Sequence, residues 1–146
     1  MTNQNHYNQL EKMYLSVFFN AALTSSITVS KEQCEIKSTI TKDYFHAANA
    51  LHGSIMFKTL DDVGFFAAQS VVEDYFLVTA SFNTHFIRPV FEEPLKAIGK
   101  VIEQTKRQII CESVTYNDTG KKVAYGTGTF VKSKQPLREL GGYLIQ

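Results

Sequence analysis

Asp61 and Asp62 stand side by side in the stretch NALHGSIMFKTLDDVGFFAA, among Ile55, Met56, Leu60, Val63, Phe65 and Phe66. Ionised carboxylates are seldom buried unless something pairs with them or uses them. The residues alone leave two readings open. Lys58 precedes both acids at helical spacing, so it can form an ordinary surface ion pair with either, worth about 0.3 kcal/mol. Alternatively, the molecule uses the carboxylate, on a surface where acid and aromatic are neighbours. His52-Gly53 opens the segment. In a helix starting there, the Gly53 N–H lacks an intrahelical partner and sits at the positive end of the dipole. With no side chain, Gly53 also lets a ligand come close. Such an amide can stabilise a carbonyl oxygen gaining negative charge. On the plainer reading, His52 merely caps the helix or sits in a turn.

These groups must be held by the rest of the chain. Stepping residues at helical intervals puts Ser54, Lys58, Asp61, Phe65 and Ala68 on one stripe of a helix over residues 54–71. Met56, Leu60, Val63 and Ala67 fall on the opposite, sheet-facing side. A helix apolar nearly all round needs cover on most sides. The stripe joining a carboxylate to an aromatic suits a subunit interface with a pocket in it.

Within an N-terminal segment 1–24, Leu10, Met13, Tyr14, Val17, Phe18 and Ala21 predict one amphipathic helix over residues 5–23. SSITVS and CEIKSTIT then read as a hairpin. In YFLVTASFNTHFIRP the alternation predicts a strand with Phe76, Val78, Ala80, Phe82 and Phe86 on one face. Thr79, Ser81, Asn83 and His85 fall on the other, and Pro89 ends the strand. LKAIGKVIEQ and QIICESVTYN are two further strands, and the turn Asn117-Asp118-Thr119-Gly120 leads into KVAYGTGTFV. Residues 133–146 read as an extension over the surface. Strands gathered after one central helix predict an α+β fold, an antiparallel sheet wrapped around that helix in a single domain over 1–146.

A chain of 146 residues, 44% hydrophobic and 20% charged, is long and apolar enough for a globular core. Fifteen Lys and Arg against 14 Asp and Glu create no general field toward nucleic acid or anionic membrane, so neither is an expected partner. MYLSVFFNAAL is too short to span a bilayer and has no clearly basic leader, which predicts a cytoplasmic protein. Cys34 and Cys111 fit no metal-ligand spacing and are expected as reduced, buried thiols, with no metal and no cofactor.

From about residue 25 to 132 the sequence resembles the hotdog-fold acyl-CoA thioesterases, in particular their PaaI-like, phenylacetate-pathway branch. LHGSIMFKTLDDVGFFAA is similar to the family's His-Gly-Gly helix with an acid nine positions after the His, which places Asp61, not Asp62, at the acid. VTASFNTHFIRPV looks like the family strand that ends in Pro, with a hydroxyl ten positions earlier, here Thr79. DTGKKVAYGTGTF is similar to the family's closing hairpin.

The resemblance implies a sheet of five or six strands and a homodimer, often paired into a tetramer, with its site at the subunit interface. It implies acyl-CoA as substrate, Asp61 as general base or nucleophile, and the Gly53 N–H of the partner as oxyanion donor. His52 would orient the carbonyl or the loop, and Thr79 would position the water. Two departures stand out: Ser54 replaces the second Gly, where it can cap the helix or hydrogen-bond substrate, and His46 occupies a position where the family often has Asn or Gln. That leaves Ser54, His46 and Asn49, with Phe65, as candidate substrate contacts. Arg88, Lys100, Lys106 and Arg107 are candidates for the CoA phosphates. Two alternatives stand beside it: a hotdog hydratase or dehydratase, and a module that binds acyl-CoA without turnover.

Overall fold

The computed structural model describes residues 3–144. Its elements are α1 (Asn3–Leu15), α2 (Phe18–Leu23), β1 (Thr24–Ser30), β2 (Gln33–Thr39), α3 (Gly53–Gln69), β3 (Tyr75–Phe86), β4 (Pro94–Gln104), β5 (Ile109–Tyr116) and β6 (Lys122–Pro136), with short 3-10 turns at Lys42–Tyr44 and Leu137–Glu139. The six strands pair antiparallel in the order β1-β2-β4-β5-β6-β3. α3 packs across this sheet, touching every strand.

The expected inner face of α3 is borne out: Met56, Leu60, Val63 and Ala67 are buried. Ala68, placed on the outer stripe by spacing, is buried as well, because α1 and the C-terminal segment join the same cluster. Gly99 of β4 sets how closely helix and sheet approach. A Cβ there would be driven into the Val63 carbonyl oxygen, which is backbone and cannot swing aside. Overpacking of this kind costs about 1–3 kcal/mol, so Gly99→Ala is expected to lower the melting temperature by roughly 4–10 °C in a thermal scan.

Three local expectations are corrected. The first helix is two helices, broken at Ser16-Val17. The break is stabilised by side chains that add to weak backbone bonds on the last carbonyls of α1: Ser16 Oγ donates to Met13 O at 2.7 Å, and Asn20 Nδ2 donates to Tyr14 O at 3.0 Å. β3 does not keep one alternation. Thr79 pairs with Phe130 and Ser81 with Thr129, leaving Ala80 as an extra bulged residue. Leu77 is therefore buried and Val78 exposed, the reverse of the expected phase. Finally, the tail is part of the body: β6 continues to Pro136, and Leu137 and Tyr143 are buried.

The two edges of the sheet differ. On β1 the Val29 N–H donates to Glu11 Oε2 of α1 at 2.8 Å, so that edge is covered. β3 pairs only with β6, and its 12 residues, YFLVTASFNTHF, include no Lys, Arg, Asp or Glu. Edge strands that must stay unpaired usually carry charge or Pro. Cys34 and Cys111 are buried free thiols, and burial pushes Cys111 up to about 12, so neither is a reactive thiolate.

Candidate active site

The two aspartates have separate fates. Asp62 Oδ2 accepts from Tyr14 Oη at 2.6 Å and pairs with Lys58 Nζ at 2.5 Å. Lys58 in turn donates to Asn20 Oδ1 at 2.6 Å. Asp62 thus ties α1 and α2 to the central helix, and burial together with its charge pushes the Tyr14 phenol up. Asp61, one residue earlier and about 100° around the helix, has no cation partner among the described residues. Its Oδ1 accepts one hydrogen bond, from Thr79 Oγ1 at 2.8 Å.

The bulge at Ala80 makes this contact possible, because it turns Thr79 toward the helix while Phe82 also packs inward. Burial raises the Asp61 pKa, the Thr79 bond lowers it, and the neighbouring Asp62 charge raises it again. The net direction is up. Replacing Thr79 with Val removes the lowering contact and little else. Thr79→Val is expected to move the Asp61 titration, followed by carboxyl NMR shifts, to higher pH; an unmoved midpoint would contradict the role of this bond.

His52 is the N-cap of α3. Its Nδ1 accepts from the Ser54 N–H at 3.0 Å, which leaves the proton of the neutral ring on Nε2. The plainer reading of His52 is therefore correct as far as it goes, whereas Ser54 is not the cap; it is the residue being capped. The Gly53 N–H, at the first helical position, has no partner among the described residues. Beside it is a hollow of about 310 Å³ bordered by His46, Met56, Phe86 and Arg88.

His46 Nδ1 accepts from the Ala48 N–H at 3.1 Å, within a tight turn in which Asn49 has φ of 63°. Asn49 thereby has a conformational reason to be Asn, and it does not border this hollow. The cation candidates are scattered. Arg88 Nη1 donates to Lys122 O at 2.6 Å near Gly53. Lys106 and Arg107 border a separate hollow beyond the far end of α3, with Val72 and Asp74. Lys100 is exposed in mid-sheet opposite Glu112.

A larger hollow, about 550 Å³, opens beside Asp61 and Thr79. Phe65, Phe66 and Phe76 form its aromatic side, and Val17 and Leu140 border it from the flanking segments. Phe66, Phe76, Val17 and Leu140 were not singled out as a set by sequence spacing, since they come from four separate elements. No cluster of three or more His, Cys, Asp or Glu is placed to hold a metal among the described residues.

Asp61 and Gly53 do not converge within one chain. Asp61 and Gly53 are eight residues apart on the same helix, which separates them by about 12 Å at 1.5 Å per residue. A single carbonyl cannot contact both.

Residues 48–124 match the family model of the thioesterase superfamily. That match covers more than half of the chain and includes Gly53, Asp61 and Thr79, so the protein belongs to the thioesterase superfamily. Its fold is the hotdog fold. The Escherichia coli PaaI protein, from the phenylacetic acid degradation operon, superimposes with a TM-score of 0.83 at 20% identity, covering 93% of this chain and 99% of its own. A Streptococcus mutans protein bound to acetyl-CoA aligns with a TM-score of 0.68 at 14% identity, covering 74% of this chain and 86% of its own. Among curated proteins, one from Saccharolobus solfataricus, whose name marks it as a candidate esterase, is 24% identical over 76% of this chain and 74% of its own length. No helix among the described residues is long and apolar enough to cross a membrane.

Proposed function

We propose that the protein hydrolyses acyl-CoA thioesters at a site shared by two copies of the chain. The observation that carries this reading is the half-buried Asp61, bound to Thr79 and lying about 12 Å from its own Gly53 amide, on a molecule whose β3 edge is bare and uncharged. A second copy adding its β3 antiparallel across a two-fold axis reverses the partner helix relative to this one. Thr79 touches Asp61, and Phe86 lies against Gly53, since a Cβ on Gly53 would sit 3.6 Å from the Phe86 ring. With the bulged Ala80-Ser81 counted as one ladder position, pairing centred on Asn83 sets Phe86 and Gly53 of the second copy opposite Thr79 and Asp61 of the first. Exposed Val78, Phe86 and Ile87 would be covered by the same pairing.

At such a site the ionised Asp61 takes a proton from water, held with the help of Thr79, as the hydroxide adds to the thioester carbonyl carbon. The oxyanion is held by the Gly53 N–H of the second copy, with the α3 dipole behind it. Collapse of the intermediate breaks the C–S bond, and the departing thiolate takes up the proton from Asp61. The alternative course, in which Asp61 attacks directly and the anhydride is then hydrolysed, uses the same atoms. His52 fixes the loop that presents the amide, and His46 borders it. Arg88 is the cation next to that end, available to the CoA phosphates; Lys106 and Arg107 are the next candidates.

The test is a thiol-release assay on a panel of acyl-CoA esters, run beside an enoyl-CoA hydration assay and light scattering. Thiol release by a dimer or tetramer is expected. Hydration without thiol release would assign a hydratase, binding without either reaction would assign a non-catalytic module, and an active monomer would refute the shared site.

A further inference from the structure

The hollow beside Asp61 is bounded by parts of the chain outside the family-matched residues 48–124: Met13 to Asn20 from the α1–α2 bend, and Leu140 to Gly142 from the C-terminal segment. These walls are anchored. Asp62 and Lys58 hold Tyr14 and Asn20 at 2.6 Å each, fixing the bend to the helix that carries Asp61. The C-terminal segment is locked from the other side. Tyr143 Oη donates to Nδ1 of the buried His6 at 2.9 Å, and the ring's Nε2–H donates to Gln69 O at 2.8 Å. At Gly142 any Cβ would lie 2.7 Å from Ser16 Oγ, so the two walls meet with no room to spare.

Inside, the lining is aromatic. Phe65 meets Phe66 at 5.0 Å and 70°, and Phe76 at 5.1 Å and 49°, the tilted and edge-on arrangements that leave ring faces open to an apolar guest. The polar groups, Asp61 and Thr79, are where a thioester carbonyl would be attacked. A hollow of about 550 Å³ is far more than a two-carbon acyl group would fill.

Resting on the thioesterase reading, we infer that the acyl group of the substrate occupies this hollow. The chain thus selects an apolar acyl group much bulkier than acetyl, and the α1–α2 bend with Leu140–Gly142 sets that selection. Val17, at the mouth and half exposed, is the specificity residue on one wall; Leu140 is its counterpart on the other.

The test compares kcat/KM for acetyl-, octanoyl-, dodecanoyl- and phenylacetyl-CoA in the wild type and two variants of opposite sense. For the wild type, octanoyl- or phenylacetyl-CoA is expected to exceed acetyl-CoA by about tenfold or more, the scale on which a fitted apolar pocket discriminates. Val17→Trp, which narrows the mouth, is expected to reduce that ratio by about tenfold. Leu140→Ala, which deepens the hollow, is expected to raise the dodecanoyl to octanoyl ratio. The octanoyl and phenylacetyl arms separate a flexible chain from a flat ring. A wild type that prefers acetyl-CoA, or ratios that stay within about twofold in both folded variants, would overturn the pocket while leaving the hydrolase intact. A wild type inert toward every thioester would overturn the hydrolase and the pocket with it.

Discussion

Asp61→Asn is expected to lower kcat for thioester hydrolysis by about a thousandfold, whether the carboxylate acts as base or nucleophile. The substitution is nearly isosteric, and its amide oxygen still accepts from Thr79, so binding of the CoA ester should survive. Stability provides an independent check on the cause. A carboxyl group whose folded pKa is raised contributes stability at pH below its unfolded value and loses that contribution as pH rises through the folded value. At neutral pH the wild type therefore carries a partly desolvated charge that the Thr79 hydrogen bond and the nearby Lys58 offset only in part. Asp61→Asn should unfold at the same or higher urea concentration than the wild type at pH 7, with the advantage vanishing in acid. Lost activity with undiminished stability places Asp61 in the chemistry; activity retained within about threefold would remove it.

Gly53→Pro has the second largest expected effect, a loss of about 10²–10³ in kcat. Proline deletes the one N–H assigned to the oxyanion and disturbs little else, because the first helical position has no intrahelical bond to lose. The preceding residue tolerates it too: His52 already has φ −61° and ψ 136°, the region a residue before proline prefers. A Cβ at this position meets only the Phe86 ring at ordinary contact distance. Gly53→Ala, which keeps the N–H, is the control and should stay within about threefold of the wild type. Equal losses in both would point to crowding of the helix entrance instead of a missing donor.

Sequence spacing carried the architecture a long way for a physical reason. α3 is apolar around most of its circumference, so it had to be the covered element, and the alternating segments after it had to form the cover. The turn at Asn117-Asp118-Thr119-Gly120 was also legible, with Gly120 at φ 81° and Asn117 Oδ1 accepting from the amides of Thr119 and Lys121. What stayed hidden depended on contacts between distant segments. LVTAS is compatible with either strand phase, and only pairing against Phe130 and Thr129 puts the bulge at Ala80. The break at Ser16-Val17 was masked because helical spacing continues through it; two side chains on carbonyls decide the matter. The division of labour between Asp61 and Asp62 needed Tyr14, which is 48 residues from Asp62 along the chain. The large hollow was invisible for the same reason.

The shared site is tested most directly by mixing two inactive proteins. Asp61→Asn and Gly53→Pro chains, unfolded together and refolded in equal amounts, give two-fold dimers of which about half are mixed. Each mixed dimer contains one site with both Asp61 and Gly53 intact and one with neither, provided the two groups come from different chains. Recovery of about a quarter of wild-type activity is expected. If both groups served from the same chain, every site in the mixture would lack one of them, and a preparation no more active than its parents would contradict the account.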